Sequence, residues 1–79
     1  MNNLEKYTEI FAKTFDIAAE DAKGLKYQEI QAWDSVGHMG LIAEIEDAFD
    51  IMMDTDDIID LNSFEKGMEI LSEKYDIEF

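Results

Sequence analysis

The chain contains no cysteine and no proline, one histidine, one tryptophan and only six basic residues in 79. Without cysteine it forms no disulfide, no thiolate metal site and no thiol nucleophile. A cysteine-free chain also fits a reducing compartment, and a cytoplasmic location is expected. No stretch approaches the ~18 consecutive apolar residues of a membrane span. The start, Met1–Phe11, carries Glu5 and Lys6 in place of a continuous apolar run, so no secretory signal is expected either. The scarcity of positive charge matters most: six Lys and Arg stand against twenty Asp and Glu, a net charge of −14. Such a surface repels nucleic acid and anionic lipid, which excludes both as partners, and attracts basic patches on other proteins. A chain this short makes one domain, 1–79, that buries only about 60% of its unfolded surface. That leaves little room for a catalytic cleft beside a core, and an enzyme is not expected.

Hydrophobic spacing is helical along most of the chain. Leu4, Tyr7, Phe11 and Phe15 step along one face of a first helix over 3–15, with Asn2 or Asn3 as its cap. A long connection over 16–34 follows. Its irregular apolar residues (Ile17, Leu25, Tyr27, Ile30, Trp33) predict that it lies across the core, with a short helical turn near 20–23. A second helix runs from Ser35 to Phe49 or Asp50, capped by Asp34 or Ser35, with Leu41, Ile42, Ile45, Ala48 and Phe49 inward. Gly37 and Gly40 each cost its first turns roughly 0.5–1 kcal/mol relative to Ala, which signals a close approach there. A link at 51–54 leads to a brief third helix over 55–60, capped by Asp54 or Thr55, with Ile58, Ile59 and Leu61 apolar. Asn62 with Glu65 three residues on reads as the capping box of a fourth helix, whose core stripe is Phe64, Met68, Leu71 and Tyr75. The predicted class is all-α: a four-helix bundle, three main helices plus one short helix, with a long loop between helices 1 and 2.

The second helix has the parts of a modification site. An exposed hydroxyl at a helix start lets a long arm leave and return. The helix N-terminus adds roughly half a unit of positive charge, which favours an attached phosphodiester. Asp34, Ser35 and the downstream acids Glu44, Glu46, Asp47 and Asp50 also give a modifying enzyme an acidic surface to recognise. Taken alone, Asp-Ser before a helix is an ordinary N-cap. Here it stands with Trp33 before it, Val36, Gly37, His38 and Met39 after it, an Ile42-x-x-Ile45 core and an acidic helix end.

That combination resembles the acyl carrier proteins over essentially the whole chain. The family motif Asp-Ser-Leu is matched by Asp34-Ser35-Val36, and the change from Leu to Val bears on partner choice. The resemblance implies a covalent 4'-phosphopantetheine, donated by coenzyme A and carried on Ser35, with Asp34 beside it. It also implies a four-helix bundle with a long first loop. Fatty-acid carriers place acids near the positions of Gly37 and Gly40. Trp33 and His38 are more typical of stand-alone specialised carriers. The peptidyl-carrier signature Gly-Gly-His-Ser is missing.

Other constellations carry less. Asp54, Asp56, Asp60, Asn62 and Glu65 fit an EF-hand template in part. Ile58 and Ile59 occupy its fifth and sixth positions, and the sixth requires glycine, so no metal site is expected. Ser35 and His38 share a helical face but lack an orienting acid and an oxyanion hole, so no catalytic residue is assigned; His38 reads as an exposed neighbour of the arm. Trp33 reads as a plug between loop and helices, and Met39 as an adaptable contact.

The functional expectation is an acyl carrier that shuttles thioester-bound acyl intermediates between enzymes of fatty-acid, lipid, polysaccharide-modification or secondary-metabolite synthesis; its expected partners are a phosphopantetheinyl transferase and acyl-loading and acyl-transferring enzymes with basic docking patches. The expected docking surface is Val36, Met39 and Ala43 as an apolar strip, Glu46 and Asp47 as charge, and Asp56 and Asp57 of the third helix as an extension. Ile42, Ile45 and Ile59 are expected to line an interior that shelters an acyl chain, and a shuttle of this kind is expected to be a monomer. The alternatives are an unmodified acidic adaptor for a basic protein partner and a carrier of aminoacyl cargo.

Overall fold

A computed structural model describes residues 2–79. The described residues are all-α, with five helices: α1 (Asn3–Phe15), α2 (Ala19–Ala22), α3 (Ser35–Phe49), α4 (Thr55–Asp60) and α5 (Phe64–Lys74). Among the described residues the only extended pairing is one isolated antiparallel bridge, Lys26 with Ser63. The three longer helices lie where the 3.6-residue periodicity places them. The turn expected near 20–23 is the short helix α2.

The core is aromatic. Phe11 of α1 sits at its centre, with ring centroids 4.9 Å from Tyr7, 5.9 Å from Phe15, 5.4 Å from Trp33 and 5.0 Å from Phe64. Offset and edge-on rings of this kind add about 0.5–1.5 kcal/mol per pair beyond the area they bury. α1 packs on α2 and α3, and α4 packs on α5. Tyr7 ties α1 to α5 by donating its buried hydroxyl to the Phe64 carbonyl at 2.8 Å. α5 comes this near because position 67 is glycine: a Cβ there would lie 2.0 Å from the Tyr7 hydroxyl oxygen.

The long connection is docked on this core. The Tyr27 amide donates to the Asn62 carbonyl and the Phe64 amide to the Leu25 carbonyl, both at 2.8 Å, which pins the loop to the start of α5. Beyond that bridge, Gln28 adopts φ 67. The chain then turns so that the Gln28 amide reaches the Trp33 carbonyl at 3.0 Å, and Trp33 is fully buried as the plug.

Asn2 caps α1 and Asp34 caps α3, accepting from the Glu5 and Gly37 amides respectively. Two cap expectations are corrected. Asn62 does not cap the last helix; Ser63 does, accepting from the Lys66 amide at 2.9 Å, because the Asn62 carbonyl is held in the bridge to Tyr27. Asp54 occupies the N-cap position of α4 but makes no side-chain cap bond.

All three long helices end alike, on an aromatic residue, an aspartate and an isoleucine: Phe15-Asp16-Ile17, Phe49-Asp50-Ile51 and Tyr75-Asp76-Ile77. Each aspartate takes a left-handed conformation, with φ 55, 55 and 59. The isoleucine amide then turns back onto a carbonyl of the last helical turn: Ala12 at 3.0 Å, Glu46 at 3.1 Å and Leu71 at 3.1 Å. This closure satisfies carbonyls the helix leaves open and folds an apolar side chain back onto it.

Candidate functional site

Ser35 is the first residue of α3 and is exposed. Asp34 holds the helix mouth in shape, accepting from the Gly37 amide at 2.8 Å through its side chain and from the His38 amide at 2.8 Å through its carbonyl. Gly37 is the close approach the sequence signalled: a Cβ there would lie 2.0 Å from the Ala32 carbonyl oxygen. The loop end therefore lies directly on the first turn of α3. Gly40 is different and corrects the expectation, since a Cβ at that position meets nothing within 4 Å.

A cleft of about 340 Å³ opens beside Ser35, lined by Tyr27, His38, Met39, Ile58, Ile59, Leu61 and Asn62 as well as Ser35. No charged side chain is among these. Around Ser35, Val36 is 80% exposed, Met39 57% and Ile59 69%. A rim this bare on a chain of net charge −14 has apolar contact area and acid side by side. Ile59 is thus corrected from interior to rim, because α4 is one and a half turns long and buries Leu61 instead.

The expected docking residues divide. Val36, Met39, Ala43 and Asp47 are exposed at helical spacing along α3, and Asp56 is exposed on α4. Glu46 is half-buried and accepts from the Met53 amide at 2.9 Å, so it also braces the link to α4. Asp57 is corrected: it is 3% exposed and points away from solvent. Its carboxylate accepts from Lys74 Nζ and from the Tyr75 hydroxyl, each at 2.7 Å, and so latches α4 to the end of α5. The Lys74 bond, then the Tyr75 bond, hold its carboxyl below the usual aspartate range against the opposing effect of burial. The same bond raises Lys74, and burial raises Tyr75.

His38 is also corrected. It is not a free side chain beside Ser35, since both ring nitrogens are engaged. Trp33 Nε1 lies 2.9 Å from Nδ1, and the Ile58 carbonyl lies 2.7 Å from Nε2. An indole N–H only donates and a carbonyl only accepts, so these partners set the imidazole neutral with its proton on Nε2. A ring so committed has no free lone pair with which to take a proton from Ser35. Tyr27 and Asn62 line the cleft although nothing in their local sequence marks them. The irregular apolar spacing of the loop was the available signal for Tyr27.

Comparison with family models, curated proteins and solved structures finds no match to this chain.

Proposed function

We propose that the protein is an acyl carrier that presents Ser35 for attachment of 4'-phosphopantetheine. The observation that carries this reading is the exposed Ser35 hydroxyl at the capped start of α3, opening beside an apolar cleft with exposed Val36, Met39 and Ile59 at its rim. The residues fit the group. The helix start favours the phosphodiester, and the cleft offers apolar walls. When attached, the group supplies a terminal thiol that holds an acyl cargo as a thioester. Ser35 contributes the oxygen that bonds to phosphorus, and Asp34 fixes the turn on which that oxygen sits.

In this reading α1, α3 and α5 with the short α4 form the four-helix bundle of a carrier working in the cytoplasm as a monomer. The partners are a phosphopantetheinyl transferase and acyl-loading and acyl-transferring enzymes. Basic patches on these enzymes meet Asp47, Asp56 and the outer oxygen of Glu46, while Val36, Met39 and Ala43 supply apolar contact. Exposed ion pairs contribute about 0.2–1 kcal/mol each, so docking is weak, fast and salt-sensitive.

The test is to incubate the purified chain with coenzyme A, magnesium and a broad-specificity phosphopantetheinyl transferase, and to weigh it intact beside Ser35→Ala. One added phosphopantetheinyl group on the wild type alone is expected. An unmodified wild type, with its helical spectrum intact and a known carrier modified in parallel, sinks the reading in favour of an unmodified adaptor.

A further inference from the structure

Three segments meet at His38. From the loop, Trp33 stacks on the imidazole at 6.1 Å and 17° and Tyr27 lies edge-on to it at 5.6 Å; from α4, the Ile58 carbonyl caps Nε2. The bond from Trp33 to Nδ1 requires a lone pair on Nδ1, so it exists only while the ring is neutral. We infer that His38 is a pH-sensitive latch: protonation places an N–H on Nδ1 against the Trp33 N–H and breaks the polar tie between the loop and α3, loosening the wall of the Ser35 cleft while the Trp33 ring stays packed on Phe11 and Phe15.

The geometry makes the release directional. The charged ring keeps its bond to the Ile58 carbonyl, so α4 stays attached while the loop loses its polar tie to α3. Trp33 is fully buried, and the structure gives its indole N–H no other acceptor. An orphaned buried donor is unfavourable by more than the bond is worth when made. Upstream, the Tyr27 amide remains on the Asn62 carbonyl, which confines the loosening to the segment beyond it.

No carboxylate is bonded to the ring, whose two nitrogens meet Trp33 and the Ile58 carbonyl. Tyr27 is the titratable side chain packed on the ring. Asp34, on the preceding turn, is occupied with the Gly37 amide. On α4, Asp57 is turned to Lys74 and Tyr75, and Asp54, Asp56 and Asp60 are exposed. Asp57, held low by its partners, stays ionised from about pH 8 to about pH 5, so its latch to α5 does not open with it.

The test uses the unmodified chain, so it stands or fails separately from the carrier reading. Hydrogen-exchange protection of the Trp33 indole N–H and of the Gln28 and Trp33 amides is measured by NMR at pH 8.0 and pH 5.0, corrected for intrinsic rates, with the Phe11 amide as reference. In the wild type, protection falls about tenfold at the lower pH, the loss of one hydrogen bond, and the Phe11 amide does not change. His38→Asn, whose side-chain oxygen accepts but does not titrate, keeps protection at both pH values. His38→Phe, with a ring and no acceptor, lacks it at both. Constant protection in the wild type, or the same loss in His38→Asn, overturns the latch.

Discussion

Gly37 and Gly40 are three residues apart in one helix, yet the structure assigns their replacement by alanine opposite signs. Both substitutions remove the backbone freedom of glycine from the unfolded chain, and in a helix that change is worth about 0.5–1 kcal/mol in favour of Ala. At Gly40 the new methyl meets nothing within 4 Å, so the gain is kept. At Gly37 the new carbon would lie 2.0 Å from the Ala32 carbonyl oxygen and 3.2 Å from its carbon. The obstacle is backbone, which cannot swing aside as a side chain does. Residues 30–33 must move away from α3, and Trp33 sits at the end of that turn. Overpacking of this kind costs about 1–3 kcal/mol, which outweighs the propensity gain and leaves Gly37→Ala net destabilised by about 0.5–2 kcal/mol. In a domain this small, 1 kcal/mol moves the melting temperature by about 4–8 °C. The assay is thermal and urea unfolding followed by far-ultraviolet circular dichroism and by Trp33 fluorescence. Gly40→Ala is expected to melt higher than the wild type and Gly37→Ala lower. A Gly37→Ala protein as stable as Gly40→Ala would refute the contact with Ala32.

Two further outcomes concern the whole fold. Asp16, Asp50 and Asp76 each place a side chain in the left-handed region and a negative charge at a helix C-terminus, both unfavourable. Asp50→Gly is expected to raise stability by about 0.5–1 kcal/mol, read as a shift in the urea midpoint; a fall would mean that Asp50 has a partner that matters more than its conformation. The pH dependence should be two-sided. Asp57, lowered in the folded state, contributes stability that is present above its unfolded value and lost as pH falls below about 4. Lys74 and the buried Tyr7 phenol, both raised, contribute stability that is lost as pH climbs above about 10. Asp57→Asn should remove most of the acid-side slope in a melting-temperature profile, and an unchanged slope would place that slope on other carboxylates.

The three long helices were legible because each keeps one apolar face for several turns. The bounds of α1 and α3 follow from Leu4 to Phe15 and from Leu41 to Phe49, and Ser35 was placed at its helix mouth by the Asp34-Ser35 cap pair. What periodicity does not carry is the long connection, since Leu25 and Tyr27 are fixed by bonds to Phe64 and Asn62, far along the chain, and Gln28 and Trp33 by bonds across an irregular turn and onto His38. The capping-box pattern of Asn62 and Glu65 misled for the same reason: the carbonyl of Asn62 was already taken by Tyr27, and the cap moved one residue on. Asp57 looked like one more acid in an acidic row. Only its neighbours in space, Lys74 and Tyr75, distinguish it from Asp56. One signal did stand in the sequence in plain form, the aromatic-Asp-Ile triplet repeated at residues 15–17, 49–51 and 75–77, and it marks the end of every long helix.

Those triplets and the His38 contacts show how a chain of 79 residues without disulfide or proline keeps one hydroxyl in place. Each long helix is closed by its own backbone, so its length does not depend on a neighbour. The aromatic cluster around Phe11 then sets the helices against one another, and the loop becomes the remaining degree of freedom. It is fixed at one end by the bridge to Asn62 and at the other by Trp33, whose buried N–H needs the neutral His38. Ser35 lies two residues after Trp33 and three before His38, inside this last joint. Here the helix mouth is held twice, by the Asp34 cap and by the bond from Trp33 to His38.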